Sequence, residues 1–390
     1  MKIVADAAIP YAEQILSGLG EVTLLPGRDM DAAGVQAADV LVVRTVTRVD
    51  GALLEGSNVR FVASATSGTD HVDLDYLQRA GIGFAAAGGC NARAVAEYVL
   101  SALCAVAQQQ DLDLHGKRAA VIGCGHVGSM VVTLLQACGI SCLVNDPPLQ
   151  ARCPGDRDWR ELDEVLEADI VSLHVPLIRT GDHPTLNLVD SDFLGRLGSD
   201  VIFINTSRGE VVDEAALCAY LDAHPRAAAV LDVWRNEPAI DTALLTRARL
   251  ATPHIAGYST DAKLRATCMV YEQLRAFLGI TADAPPLPPL PVVRAGSLRL
   301  SGWHDEMEAI AMAVLGSYDI RSDSASLQRI LELPGEQRGS FFDALRNQYP
   351  VRREFPAMCV ELDHCPESLT GRLRALGFQT MDSRHNANEV

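Results

Sequence analysis

Three stretches carry ionisable groups whose combination can do chemistry. Asn205-Thr206-Ser207-Arg208-Gly209 sets an arginine after an apolar run. Leu231-Asp232-Val233-Trp234-Arg235-Asn236-Glu237-Pro238 sets two carboxylates after the next. Thr252-Pro253-His254-Ile255-Ala256-Gly257-Tyr258 sets a histidine after the last. An Arg fork grips a carboxylate and can hydrogen-bond a developing carbonyl. A His takes a hydroxyl proton as general base. A carboxylate behind it fixes the ring and stabilises the imidazolium. The set suits oxidation of a 2-hydroxy acid, provided a hydride acceptor sits beside it. Arg208, Glu237 and His254 are therefore the candidate catalytic residues. Singly, each has a plainer use: surface charge for Arg208 or Glu237, a loop histidine for His254, a helix cap for Asp232. His71, between Asp70 and Asp73, reads as structural, and His174 as lining a nucleotide site.

The hydride acceptor is indicated by Arg118–Asp146. Ala119–Ile122 reads as a buried parallel strand. It runs into Gly123-Cys124-Gly125-His126-Val127-Gly128, which fits G-x-G-x-x-G. Gly123 takes the tight turn, Gly125 lets a pyrophosphate approach the backbone, and Gly128 lets the helix lie close to the strand. Val127, Met130, Val131, Leu134 and Leu135 then recur at helical spacing, so free N–H groups and the positive helix end face the phosphates. Cys124, His126 and Val127 need contribute only backbone there. A second strand, Ile140–Val144, leads to Asp146, which can accept from ribose hydroxyls and would repel a 2′-phosphate. NAD is favoured over NADP.

Positioning these groups requires an α/β frame. Lys2–Ala5, Val22–Leu25, Val40–Val43 and Phe61–Ala63 read as strands, with a helix at Tyr11–Leu19. Arg44-Thr45 and Thr66-Ser67-Gly68 follow two of them, where ligands of open sheets sit. Arg44 and the hydroxyls there suit a polyhydroxylated anion, although turn chemistry explains each equally well. Asn91–Gln110 is a long, largely buried helix. Strands at Ile170–Val175, Val201–Asn205, Ala228–Val233 and Arg249–Thr252 continue the rhythm, with helices at Glu161–Leu166, Ser191–Leu197 and Asp213–Ala223. That count suits a doubly wound sheet of six or seven strands. The helix Ser259–Leu278 is expected to return to the first unit. Ala284–Pro291 has five prolines and reads as a stiff linker. Beyond it, helices at Trp303–Leu315 and Ser368–Leu376 and strands at Met358–Leu362 and Phe378–Met381 make a small domain.

The chain has 390 residues and a net charge of −17, which argues against nucleic acid or an anionic membrane as the main partner. An anionic substrate then needs locally placed arginines. The ten cysteines show no zinc-type spacing and read as buried thiols of a reducing compartment. No metal is expected. The N-terminus has no signal-peptide pattern, and no apolar run reaches membrane-span length. A cytoplasmic protein is expected.

TSGTDHVD, GCGHVG, HVPL, INTSRGEVVDE, LDVWRNEP and ATPHIAGYS together make roughly residues 1–280 resemble the D-2-hydroxyacid dehydrogenase family. RTVTRVD, NDPP and the C-terminal FFDALRNQYPVRREF extend the resemblance to nearly the whole chain. It implies three α/β parts. A flavodoxin-like substrate (lid) domain would span 1–92 plus 258–283. A Rossmann NAD-binding domain would span 93–257. After the linker at 284–291, a small α+β domain at 292–390 would serve homodimerisation. It implies Arg208, Glu237 and His254 as catalytic residues, with His254 the acid/base. Asp146, Val175, Thr206, Asp232 and Gly257 would join the glycine loop in contacting NAD, and Thr45, Thr66 and Tyr258 would contact substrate. Val175 stands where the family usually has a threonine, so only a backbone contact could survive; Thr45 replaces a usual serine and keeps the hydroxyl. The implied substrate is a small phosphorylated 2-hydroxy acid. For its phosphate, Arg44 is the first candidate, while Arg346, Arg352 and Arg353 could reach it from a partner subunit, although a solvated basic face is the better reading for at least two of them. Two alternatives remain: another member of the family acting on a three-carbon phospho-acid, and a non-catalytic NAD-sensing interaction protein.

Overall fold

The computed structural model describes residues 1–280, 298–363 and 365–382. The linker expected at 284–291 lies outside the described residues. The chain forms two compact units. One holds Met1–Asn91 and the chain from Ser259 to residue 280; the other holds Ala92–Tyr258 and the described residues from 298 onward.

The first unit is built on β1 (Lys2–Asp6), β2 (Glu21–Leu25), β3 (Val40–Val43), β4 (Phe61–Ser64) and β5 (Gly83–Ala86). They pair in the order β2-β1-β3-β4-β5, all parallel. This is the flavodoxin-like order. The VLVV of β3 and FVAS of β4 are buried throughout, as strands of a parallel sheet covered on both faces must be. β5 is GFAA, with no β-branched residue, and propensity alone does not mark it. Its pairing with Phe61–Ser64 recruits it. The helix Thr260–Phe277 starts at Ser259, whose side chain accepts the Ala262 N–H. It packs back on this sheet, with the Phe277 ring 4.4 Å from that of Phe61.

The second unit carries β6 (Arg118–Ile122), β7 (Ser141–Asn145), β8 (Ile170–Leu173), β9 (Ile202–Asn205), β10 (Ala228–Leu231) and β11 (Leu250–Ala251). They form a six-stranded parallel sheet in the order β11-β10-β9-β8-β6-β7. The doubly wound parallel architecture expected from the sequence is present. Strand order reverses between β6 and β8, so the ligand crevice lies at their carboxyl ends. The strands that precede Arg208, Glu237 and His254 are the neighbours β9, β10 and β11. Many aspartates of this acidic chain cap helices: the side chains of Asp50, Asp73, Asp190 and Asp213 each accept first-turn N–H groups.

The helix Ala92–Gln110 is buried at every position from Ala94 to Ala107. It shares one core with the helix His126–Ala137 and with the C-terminal helices Glu306–Ser317 and Ile320–Gln328. The C-terminal residues also form a parallel sheet of β12 (Leu298–Arg299), β13 (Cys359–Leu362) and β14 (Gln379–Asp382). The helices Ile320–Gln328 and Gly335–Asn347 are polar in composition. The first is anchored by Ile320 and Leu327 and the second by Phe342, with Leu327 and Phe342 in the core beneath the nucleotide sheet. No described helix is long and apolar enough to cross a membrane.

Candidate active site

His254 and Glu237 form a direct pair: His254 Nδ1 lies 2.8 Å from Glu237 Oε2. The other carboxylate oxygen accepts the Trp234 N–H at 2.9 Å. Burial alone would raise Glu237, but His254, the Trp234 amide and Arg346 outweigh it and hold the carboxyl below its ordinary range. An ionised Glu237 requires the proton on Nδ1 of the ring. Nε2 then keeps its lone pair and can accept a substrate hydroxyl proton. Arg208 follows β9, half-buried, with Nη1 donating to the Ser207 carbonyl at 2.7 Å. The next residue explains why this loop lies close to that of Glu237. A Cβ on Gly209 would meet the Trp234 carbonyl oxygen at 2.2 Å, so only glycine permits the approach.

The turn bearing His254 is held from below by Asp232. His254 has φ 57°, a left-handed backbone that strains a non-glycine residue. Its N–H donates to the Asp232 carbonyl at 2.7 Å. The Asp232 side chain accepts the Ile255 N–H at 2.7 Å, the Ala256 N–H at 2.9 Å and the Thr252 hydroxyl at 2.6 Å. Burial pushes the Asp232 carboxyl up, against the pull of His254 and these donors. Tyr98 Oη lies 2.6 Å from Thr252 Oγ1, and Trp234 Nε1 donates to the Thr252 carbonyl at 2.9 Å. Asp232, expected as a cofactor contact, also clamps the catalytic turn. Tyr98, Thr252 and Trp234 were invisible as site residues because they act by contacts distant in sequence.

The crevice at β6 and β8 fits a dinucleotide. Gly123 has φ 85°, and a Cβ there would meet the His174 carbonyl carbon at 2.7 Å and the Val175 nitrogen at 2.8 Å. A Cβ on Gly128 would lie 2.0 Å from the Gly123 carbonyl oxygen. Both glycines are demanded by backbone packing. Gly125 differs: nothing lies within 4 Å of a Cβ built there. Its openness suits a ligand approaching the backbone. The N-cap of the helix His126–Ala137 is Gly125, which has no side chain to cap it, so its first N–H groups suit an anion. Asp146 accepts the Cys124 N–H at 2.8 Å and the Leu149 N–H at 2.9 Å. Each carboxylate oxygen can accept twice, so ribose hydroxyls can still donate to it. His174 lies 2.8 Å from Ser172 Oγ and 3.2 Å from Thr206 Oγ1, and burial pushes its pKa down to about 3. It is a neutral bridge between β8 and β9.

In the first unit, Arg44, Thr45 and Thr66 sit at the carboxyl ends of β3 and β4. Arg44 Nε donates to Asp6 Oδ2 at 2.9 Å and Nη2 to Oδ1 at 3.3 Å. Thr66 Oγ1 lies 2.8 Å from Ser64 Oγ, and Thr45 is exposed. Burial and the nearby Arg44 guanidinium push the Lys263 ammonium below its ordinary range, so a second cation stands at this end. His71 Nε2 lies 3.1 Å from Ser64 Oγ.

The C-terminal arginines reach residues of their own chain. Arg346 Nη2 donates to Tyr258 Oη at 3.1 Å. Arg352 is buried, donating from Nη1 to the Ala256 carbonyl at 3.0 Å and from Nη2 to the Ala94 carbonyl at 2.6 Å. Among the described residues, no group of three or more His, Cys, Asp or Glu could hold a metal ion.

Comparison with known proteins agrees with this geometry. Residues 96–256 match the D-isomer specific 2-hydroxyacid dehydrogenase NAD-binding domain, and residues 289–377 match a domain of unknown function. The chain is 44% identical to the erythronate-4-phosphate dehydrogenase of Chromohalobacter salexigens, over 97% of this chain and 98% of that protein. It is 45% identical to that of Azotobacter vinelandii, over 97% of this chain and all of that protein, 100%. Among solved structures, the TT0316 protein of Thermus thermophilus matches with TM-score 0.62 at 27% identity, over 74% of this chain and 100% of that one. The D-lactate dehydrogenase of Aquifex aeolicus, complexed with NAD and lactic acid, shares the fold with TM-score 0.61 at 22% identity, over 72% and 96% of the two chains. By its sequence along nearly its full length, the chain belongs to the erythronate-4-phosphate dehydrogenases of the D-2-hydroxyacid dehydrogenase family.

Proposed function

We propose that the protein oxidises the 2-hydroxyl of 4-phospho-D-erythronate to give (R)-3-hydroxy-2-oxo-4-phosphooxybutanoate, with NAD, in pyridoxal 5′-phosphate biosynthesis. The His254–Glu237 pair at 2.8 Å carries this reading, set in a chain of the family just named. His254 Nε2 takes the hydroxyl proton. Glu237 keeps the tautomer and stabilises the imidazolium that forms. Arg208 grips the substrate carboxylate and orients the reacting carbon. Thr45, Thr66 and Tyr258 contact substrate hydroxyls, and Arg44 offers charge from the first unit. The glycine loop with Gly123, Gly125, His126, Val127 and Gly128, together with Asp146, Val175, Thr206, Asp232 and Gly257, holds the dinucleotide. Bound NAD supplies the hydride acceptor. The enzyme works in the cytoplasm as a homodimer held through residues 292–390.

The test is NADH formation with 4-phospho-D-erythronate, wild type beside His254→Ala. Turnover in the wild type that falls by about 100-fold or more in the variant supports substrate and acid/base together. Turnover with 3-phosphoglycerate instead would make the protein a phosphoglycerate dehydrogenase. Silence with both, alongside tight NAD binding, would make it an NAD sensor.

A further inference from the structure

The substrate read above ends in a phosphate, and the acidic chain must meet it with a local cation. Arg44 is engaged by both oxygens of the buried Asp6 carboxylate. Arg208 serves the carboxylate end. Arg346 differs from both. It stands in the last turn of the helix Gly335–Asn347, where its Nη2 donates to Tyr258 Oη at 3.1 Å and its guanidinium lies 5.7 Å from the Tyr258 ring centre. No carboxylate among the described residues lies within 4.0 Å of it, although Glu237 and Asp232 attract it from farther away. Its Nε is out of solvent and has no hydrogen-bond acceptor among the described residues. Tyr258 is four residues past His254, and Tyr349 packs edge-on against it with ring centres 6.0 Å apart. The Tyr258 oxygen accepts from Arg346, so its own O–H proton points elsewhere.

We propose that Arg346 is a specificity-determining residue: its guanidinium binds the phosphate of the substrate, beside a Tyr258 hydroxyl that it orients as a donor. The segment matched to a domain of unknown function thus contributes a side chain to the substrate site of its own chain. A guanidinium with spare N–H donors in a partly dehydrated setting is suited to a dianion. A phosphate remote from the reacting carbon is held alike in ground and transition states, so the effect falls chiefly on KM.

This inference rests on the substrate assigned under the proposed function. Steady-state NADH formation from 4-phospho-D-erythronate is compared for wild type, Arg346→Gln and Arg346→Lys, with inorganic phosphate and D-erythronate as competing inhibitors. Arg346→Gln should raise KM for the substrate by about 30- to 100-fold. The inhibition constant for inorganic phosphate should rise in parallel, while that for D-erythronate stays within about twofold of wild type. Arg346→Lys keeps the charge and should recover most of the loss, which also carries the test if the Gln variant folds poorly. A KM unchanged in Arg346→Gln overturns the proposal. So does an equal loss for D-erythronate, which would mark Arg346 as a mere support for Tyr258. A wild type that does not oxidise 4-phospho-D-erythronate removes the underlying reading and this one with it.

Discussion

Arg352 donates to the carbonyl of Ala256 at 3.0 Å, while the N–H of the same Ala256 is held by Asp232 at 2.9 Å. The peptides just past His254 are therefore gripped on one side by the nucleotide sheet and on the other by a residue nearly 100 positions further along the chain. The Arg352 guanidinium also lies 3.8 Å from the Tyr318 ring centre, and Tyr318 Oη donates to Asp323. Arg352→Met leaves the Ala256 carbonyl without its donor, whereas the Ala94 carbonyl, inside the helix Ala92–Gln110, keeps its helical one. At about 1–3 kcal/mol for such a group, the variant should lose roughly 1–3 kcal/mol of stability. Its kcat should fall at least about tenfold through displacement of the His254 turn. Denaturant melts and kcat at a temperature where the variant is folded read both effects; unchanged kcat in folded protein would refute the positioning role.

Glu237 touches His254 but no part of the proposed substrate. Glu237→Gln keeps the shape and removes the charge that sets the tautomer and stabilises the imidazolium. We expect kcat to fall by about 100-fold or more, with KM for the substrate within a factor of about three. Equal loss in KM would mean that Glu237 binds substrate.

Two glycines of the same motif should behave differently. A methyl at Gly128 collides with the Gly123 carbonyl oxygen, whereas one at Gly125 enters open space. Gly125→Ala should melt within a few degrees of wild type yet bind NAD about tenfold or more weakly, because the methyl stands where the pyrophosphate approaches. Gly128→Ala should lose both stability and NAD affinity. Melting curves with and without NAD separate the cases, and a Gly125→Ala variant with normal NAD affinity would contradict the proposed phosphate path.

Glu97 is buried in the long helix, 2.9 Å from Arg93 Nε and accepting the Phe355 N–H at 2.9 Å. Burial raises its pKa from 4.5 to about 8, against the pull of Arg93 and Arg352. A carboxyl with a raised folded pKa contributes its full stabilisation below the unfolded value, and that contribution is lost as pH rises through the folded one. Stability should therefore decline between pH 4.5 and about pH 8 through this group. Between mildly acidic and mildly alkaline pH the loss should be about 2 kcal/mol, and Glu97→Gln should flatten that part of the curve. Urea unfolding across the range is the check; parallel curves for the two proteins would show Glu97 ionised throughout, held by its two arginines.

The sequence by itself determined what depends on neighbours in the chain. The strand, glycine turn, helix and Asp146 of the nucleotide motif lie within 30 residues, and each has a local physical reason. Arg208, Glu237 and His254 were legible because each follows an apolar run, and the ends of parallel strands are where such groups converge. The alternation of apolar runs and polar helices marks parallel α/β sheets and a strand count of six or seven for the nucleotide unit; the flavodoxin-like organisation is implied only by the family resemblance, and β5 is recruited by pairing. Only the tertiary structure decided what depends on contacts across the chain. Gly209 reads as one glycine among many until its approach to Trp234 is seen. Nothing near Asp232 in the sequence announces its bonds to Thr252, Ile255 and Ala256. Tyr98 is one apolar-helix residue until Thr252 meets it. In the sequence, Arg346 and Arg352 read as parts of a solvated basic face or as phosphate ligands reaching in from a partner subunit. Their reach to Tyr258 and Ala256 of their own chain comes from packing of the C-terminal helices into the core of the nucleotide unit, a long-range choice that no local pattern encodes.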